Sequence, residues 1–169
     1  MYKIVFDADG LLKVYKAGFL VQAAAEHVCL MPDEVFQETV VAARRAHADE
    51  AGALEELVRG GGLLRRPPAR SAQAEQVPAM SQALGRGESG ALQLFFKERA
   101  DAIVTDDRAF LNLLLRNQLP FLTPAHLLVR LRRAGRLSGA EAVSAAARLR
   151  PLIRGEVYQD LVQQLGEFK

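Results

Sequence analysis

A single cysteine, Cys29, is all the thiol that the 169 residues carry, so an internal disulfide is excluded. It lies in the apolar run from Val28 to Met31 and reads as an inert core residue of a reducing, cytoplasmic protein. Histidine is nearly as scarce. His27, His47 and His126 stand far apart without ligand spacing, and with one thiol they exclude a zinc centre. No stretch approaches the roughly 18 apolar residues of a membrane span. Met1-Tyr2-Lys3-Ile4-Val5-Phe6 enters a strand at once, with no charged region ahead of an apolar one, so neither a signal peptide nor a membrane partner is expected. A phosphate loop of the Walker type is absent too: Gly60-Gly61-Gly62 is followed by neither lysine nor a helix start. Beyond that triplet there is no low-complexity tract, and there is no repeat.

What remains is the composition of one ordinary globular domain, 50% hydrophobic and 25% charged. The net charge of +2 hides an uneven distribution. Residues 1–107 hold 12 Lys/Arg against 16 Asp/Glu, while 108–169 hold 10 against 4. The basic end is almost all arginine, including Arg130, Arg132 and Arg133. A planar fork of donors suits a phosphate backbone, and a solvated helical face or a protein partner would explain the same residues.

Along the chain, short apolar runs alternate with helical patterns. Tyr2 to Phe6 reads as a strand ending in Asp7-Ala8-Asp9-Gly10, with Leu11, Leu12 and Tyr15 at helical spacing after it. Gly18 breaks that helix and Phe19 to Glu26 forms another. Val28 to Met31 is the next buried strand. Pro32, at the first helical position, with Asp33 and Glu34 opens a helix that runs to about Ala46. On it Val35, Val41 and Ala42 form the inward stripe beside Glu38. Ala51 to Arg59 is helical, Leu63-Leu64 a weak strand, and Ala69 to Val77, rich in small and polar residues, a mobile loop. Glu88 falls in the first turn of a helix carrying Ala91, Leu92, Leu94, Phe95 and Phe96. Ala102 to Val104 is a strand ending in Thr105-Asp106-Asp107, and the leucines after Phe110 form the next helix. Leu119 to Leu122 is a last strand, Thr123-Pro124 starts a helix to Arg133, and Ala140–Arg150 and Gly155–Leu165 are two more.

This pattern predicts a three-layer α/β/α fold around a mainly parallel sheet of four or five strands, with C-terminal helices. In such sheets ligands bind where strand ends converge. Asp7 and Asp9 sit at one strand end, Asp106 and Asp107 at another, and Glu38 and Glu88 on helices able to lean over the same edge. Taken alone, Asp106 is explained as well by capping the helix that follows it. Carboxylates crowded in one cleft repel, and a divalent cation resolves the repulsion. Mg2+ or Mn2+ takes oxygen ligands and, held by one or two of these carboxylates with a substrate phosphate, can activate water and stabilise the leaving oxygen of a phosphodiester.

Four stretches in this order, Ile4-Val5-Phe6-Asp7 with Leu11-Leu12, Met31-Pro32-Asp33-Glu34-Val35-Phe36-Gln37-Glu38, Gly87-Glu88-Ser89-Gly90-Ala91-Leu92 and Val104-Thr105-Asp106-Asp107-Arg108-Ala109-Phe110, resemble the PIN-domain nucleases. They are most similar to the small prokaryotic kind that serve as toxins of type II toxin–antitoxin pairs, in a C-terminally extended subgroup. The resemblance implies a metal-dependent endoribonuclease whose catalytic acids fall on Asp7, Glu38, Glu88 and Asp107, with Asp106 an additional member. It implies RNA as substrate and an antitoxin as partner, and the uneven charge then makes Arg130, Arg132 and Arg133 the expected nucleic-acid contacts. A homodimer is expected on general grounds. The nuclease domain is expected over residues 1–134, and 135–169 as a helical extension packed on it. Asp9 departs from the family, which usually has Ser, Thr or Asn there.

Two other readings stay open. Phe6-Asp7-Ala8-Asp9-Gly10-Leu11-Leu12 also resembles the opening of haloacid-dehalogenase-like phosphatases, with Asp7 as nucleophile and Asp9 as acid/base. Alternatively, the same fold could bind RNA or a partner without catalysis.

Overall fold

The structure is a computed structural model that describes residues 1–77 and 84–167. The last two residues of the expected extension lie outside that range. Five strands, β1 (Lys3–Phe6), β2 (Val28–Pro32), β3 (Leu64–Arg66), β4 (Ala102–Val104) and β5 (Phe121–Leu122), form one sheet. Their order is β3-β2-β1-β4-β5 and every pairing is parallel. Parallel strands need crossovers, and helices supply them. These are α1 (Ala8–Ala17), α2 (Leu20–Glu26), α3 (Asp33–Phe36), α4 (Ala48–Arg59), α5 (Ala72–Glu75), α6 (Arg86–Glu98) and α7 (Arg108–Arg116), and α8 (Pro124–Arg133) follows the last strand. Two further helices follow, α9 (Gly139–Leu149) and α10 (Gly155–Gly166).

The central strands β1, β2 and β4 are buried on both faces, which is why they read as continuous apolar runs rather than alternating ones. Ile4, Phe6, Met31 and Val104 join one core cluster, while Val5, Leu30 and Ile103 join the other. The sheet is thus the middle of three layers, as the pattern of elements predicts. Leu137, Ala142, Ala145, Ala146, Leu149 and Leu161, from the C-terminal segment, belong to the same cluster as Ile4 and Phe6. α9 lies against α1, and Arg148 Nε donates to the Ala17 carbonyl at 2.8 Å, satisfying an acceptor at the end of that helix. Gly18 ends α1 at φ 80°, in the left-handed region glycine favours.

Three expectations are corrected. Pro32 is the last residue of β2, paired with Arg66, and the helix begins only at Asp33. The helix expected to reach Ala46 unbroken passes from α3 into a π turn, Gln37–Val41, and then a 3₁₀ turn, Ala42–Arg45. A π turn adds a residue and rotates the face by roughly 100°. Val40 therefore points inward at 0% exposure, and Val41 outward at 48%. Thr39, whose hydroxyl donates to the Val35 carbonyl at 2.8 Å, reinforces the distortion. Lastly, the stretch expected as a mobile loop contains α5, with Ala74 fully buried against the α6 side of the sheet.

Candidate active site

The chain moves outward from β1 through β2 to β3, then returns to β4 on the other side of β1. That reversal makes the crevice at the carboxyl ends of β1 and β4 the natural ligand position. Phe6 is in register with Val104, so the next residues, Asp7 and Thr105, face each other across it. The Asp7 N–H donates to the Val104 carbonyl at 3.2 Å. Both side chains are buried, Asp7 at 2% and Thr105 at 0% exposure.

Asp7 caps α1: its Oδ1 accepts the Gly10 N–H at 2.7 Å. Its Oδ2 accepts the Thr105 hydroxyl, whose oxygen in turn accepts the Asp107 N–H at 3.2 Å. Asp107 caps α7, taking the Phe110 N–H on Oδ1 at 2.8 Å. The cap of the second corner is thus Asp107 and not Asp106, which the sequence suggested, and the chain Asp7–Thr105–Asp107 ties the two corners into one unit. Capping leaves lone pairs on both carboxylates, so it does not compete with a second role.

Burial pushes the Asp7 carboxyl up to about 7, against the two hydrogen bonds, and the nearby Asp9 and Glu88 carboxylates push the same way. Glu38 is raised as well, first by burial and then by Glu88. Its carboxylate accepts the Gly87 N–H at the start of α6, and Arg86 partly offsets its charge. It stands in the π turn, which aims it across to α6. Gly87 makes the approach feasible, since a Cβ there would lie 2.9 Å from Glu38 Oε2. Asp7, Glu38 and Glu88 thus share one electrostatic neighbourhood, and Asp107 joins it through Thr105.

Asp106 lies differently. Its carboxylate, 5% exposed, binds Lys13 Nζ at 2.7 Å, and the same ammonium binds Asp9 at 2.8 Å. Sequence reading passed over Lys13, although its i,i+4 spacing from Asp9 on α1 was a usable signal. One cation neutralises the outer pair of acids. No comparable cation stands among the influences on Asp7. Lys13→Met should cost about 3 kcal/mol of stability, because Asp106 would be left buried without a counter-charge. Chemical denaturation of the two proteins checks this, and equal midpoints would refute it.

The arginines named from sequence are not at this edge. Arg130 stacks over the Tyr2 ring, 4.5 Å from its centroid, and Tyr2 precedes β1. Five residues of strand, on the order of 16 Å, separate it from Asp7. α8 starts at the carboxyl edge with the Thr123 cap and runs back, carrying Arg132 and Arg133 the same way. Both have partners within the fold, and Arg132 also lies beside the start of α9. Cys29 is buried, with its thiol pushed up to about 12, and is inert.

The donors at the edge are carboxylate and hydroxyl oxygens, which suit a hard divalent cation rather than zinc. The test of fit is the charge on Asp7, which the protein itself leaves without a cation. Among the described residues no three acidic, histidine or cysteine side chains already form a ready coordination shell. Among them, too, no helix is long and apolar enough to cross a membrane.

A family model described as a PIN domain matches residues 3–167, nearly the whole chain and including the C-terminal helices. Comparison with curated proteins and with solved structures finds no match. The PIN domain is a nuclease-type fold, and its nucleases generally use divalent metals and act on RNA. The match over residues 3–167 sets aside the dehalogenase-like alternative, whose resemblance is confined to the opening stretch Phe6 to Leu12. With a parallel sheet of order β3-β2-β1-β4-β5 and its acids at the β1–β4 switch point, the chain belongs to the PIN-domain family.

Proposed function

We propose that the protein is an endoribonuclease dependent on Mg2+ or Mn2+, with Asp7, Glu38, Glu88 and Asp107 as its catalytic carboxylates. The observation that carries this reading is the contrast between two sets of acids: Lys13 neutralises Asp9 and Asp106, while among the described residues neither Asp7 nor Glu88 has such an ion pair. Asp7 and Glu88 would hold the cation, with Glu38 and Asp107 completing the oxygen set. Asp106 is a weaker ligand than expected from sequence, because Lys13 must first be displaced. When bound, the cation makes water a stronger acid and offsets charge on the phosphodiester. The chain's own part is positional. Thr105 and the Gly10 N–H fix the Asp7 carboxylate at two points, and Gly87 fixes Glu38 across the cleft. Carboxylates held this way need little reorganisation when a charged ligand arrives.

Incubation with single-stranded RNA and Mg2+ or Mn2+ should give internal cleavage that excess EDTA stops and added metal restores. Cleavage that continues in EDTA would overturn the metal-dependent mechanism. We also assign the protein to the toxin side of a toxin–antitoxin pair acting in the cytoplasm, on its resemblance to the small prokaryotic members. Growth arrest on expression, relieved by the product of a neighbouring small gene, checks that assignment, and unimpaired growth refutes it.

A further inference from the structure

A pocket of about 590 Å³ opens between α5 and α6. One side is a single stripe of α6, Arg86, Ser89, Gly90 and Gln93, at i, i+3, i+4 and i+7, and Arg70 also lines it. Gln93 is only 8% exposed. Its Oε1 accepts the Ser71 N–H at 2.5 Å, which settles the orientation of the amide because a backbone N–H can only donate. The two Nε2 donors are left without an acceptor among the described residues. Of the pocket's side chains it is Glu34 whose Oε2 is buried without a hydrogen-bond partner among the described residues, an acceptor that a ligand's donor would satisfy.

The surroundings narrow that ligand. Arg70 is exposed and has no ion pair among the described residues. Arg86 lines the pocket, and the next residue of α6, Gly87, lies against Glu38, whose Oε2 would be 2.9 Å from a Cβ there, so the pocket adjoins the Glu38 side of the acidic corner. Glu34 and Glu75 line the pocket as well. Two guanidiniums balanced by two carboxylates make a poor trap for a bare anion. They suit a molecule bearing phosphate together with a ring that both donates and accepts hydrogen bonds. The volume falls within the few hundred to about 1,000 Å³ usual for small-ligand sites.

We propose that this pocket seats one nucleotide of the RNA strand beside the bond to be cut, with Arg70 and Arg86 on its phosphates and the Gln93 amide donating to its base. This rests on the endoribonuclease reading and replaces Arg130, Arg132 and Arg133 as the backbone contacts nearest the acids. The strand then enters over α6, on the side of the sheet opposite the C-terminal helices.

The test is binding of labelled single-stranded RNA homopolymers across a salt series in EDTA, with cleavage by the wild type in Mg2+ run alongside. Arg70→Ala and Arg86→Ala should each weaken binding to all four homopolymers and lower the slope of log affinity against log salt by about one. Gln93→Met should leave the slope unchanged and weaken binding to some homopolymers about tenfold more than to others. Arg70→Glu, at an exposed position that cannot disturb the core, should weaken binding further. If wild type cleaves RNA while Arg70→Glu and Gln93→Met bind within twofold of it, the pocket is off the strand's path and the nuclease reading stands. If wild type neither binds nor cleaves RNA, both fall together.

Discussion

Asp7→Asn should abolish RNA hydrolysis, by roughly a thousand-fold or more, and at the same time make the protein harder to unfold. The first effect follows because Asp7 is the buried carboxylate at the switch point, and a loss of about 4 kcal/mol of transition-state stabilisation is that factor in rate. The second follows from its protonation. Burial raises the folded carboxyl to about 7 from an ordinary 3.8. Between those values the folded state holds a proton that the unfolded chain has released, so stability falls as pH rises through this window and stays low above it. The cost reaches on the order of 4 kcal/mol in the metal-free protein. Asn carries no charge and can still accept the Gly10 N–H. Its melting temperature in EDTA should therefore match wild type near pH 4 and exceed it by about 5 to 10 °C at pH 8. Mg2+ should raise the melting temperature of wild type and not of the variant. A variant less stable than wild type at pH 8 would mean that the charge on Asp7 is already compensated within the fold.

Gly10→Val should be the most damaging substitution at the site to the fold itself. A Cβ at position 10 would fall onto the Val104 carbonyl, 2.7 Å from its carbon and 3.0 Å from Asp7 Oδ1. Both obstacles are fixed: the first is backbone of β4, and the second is a carboxylate held at two points. α1 would have to back away from the strand ends, taking with it the N–H that Asp7 accepts. A cost of about 4 kcal/mol is expected, at the upper end of overpacking effects. Nuclease activity should fall with it even where the protein remains folded. Gly52→Ala is the matched control, because nothing lies within 4 Å of its Cβ in the exposed middle of α4. It should gain about 0.5 to 1 kcal/mol. Similar melting temperatures for Gly10→Val and wild type would show that α1 and β4 are free to part.

The layered fold was legible because its signals are local. Buried parallel strands read as the short runs at Ile4, Cys29 and Ile103, and a helix start read at Thr123-Pro124, while the cap of α7 fell one residue beyond the expected Asp106, on Asp107. The positions of Asp7 and Asp107 followed from those same boundaries. The phase of the helix after Asp33 was not legible, because a π turn has no periodic signature and moves Val41 from the inner face to the outer. The role of Asp106 was hidden for a different reason: its partner Lys13 is 93 residues away, and only the fold brings them to 2.7 Å. The arginines misled because composition reports how much positive charge a segment carries and not which end of a helix presents it. α8 runs antiparallel to the strands, so the richest basic run arrives at the edge where the acids are not. α5 was missed because small and polar residues read equally as loop or as a helix pinned by a distant glutamine.

The hydrogen bond between Thr105 and Asp7 joins residues 98 apart in sequence, and β1 finds its β4 partner only across the same interval. A chain emerging from the ribosome can complete α1 and the β1–β2–β3 half of the sheet long before residue 105 appears. Through that period Asp7 has its Gly10 donor but neither the Thr105 hydroxyl nor the Asp107 carboxylate. Because pairings between distant strands form late and slowly, an unfinished chain carries acids without a site. The topology itself therefore delays assembly of the candidate site until the stretch Thr105-Asp106-Asp107 has been made.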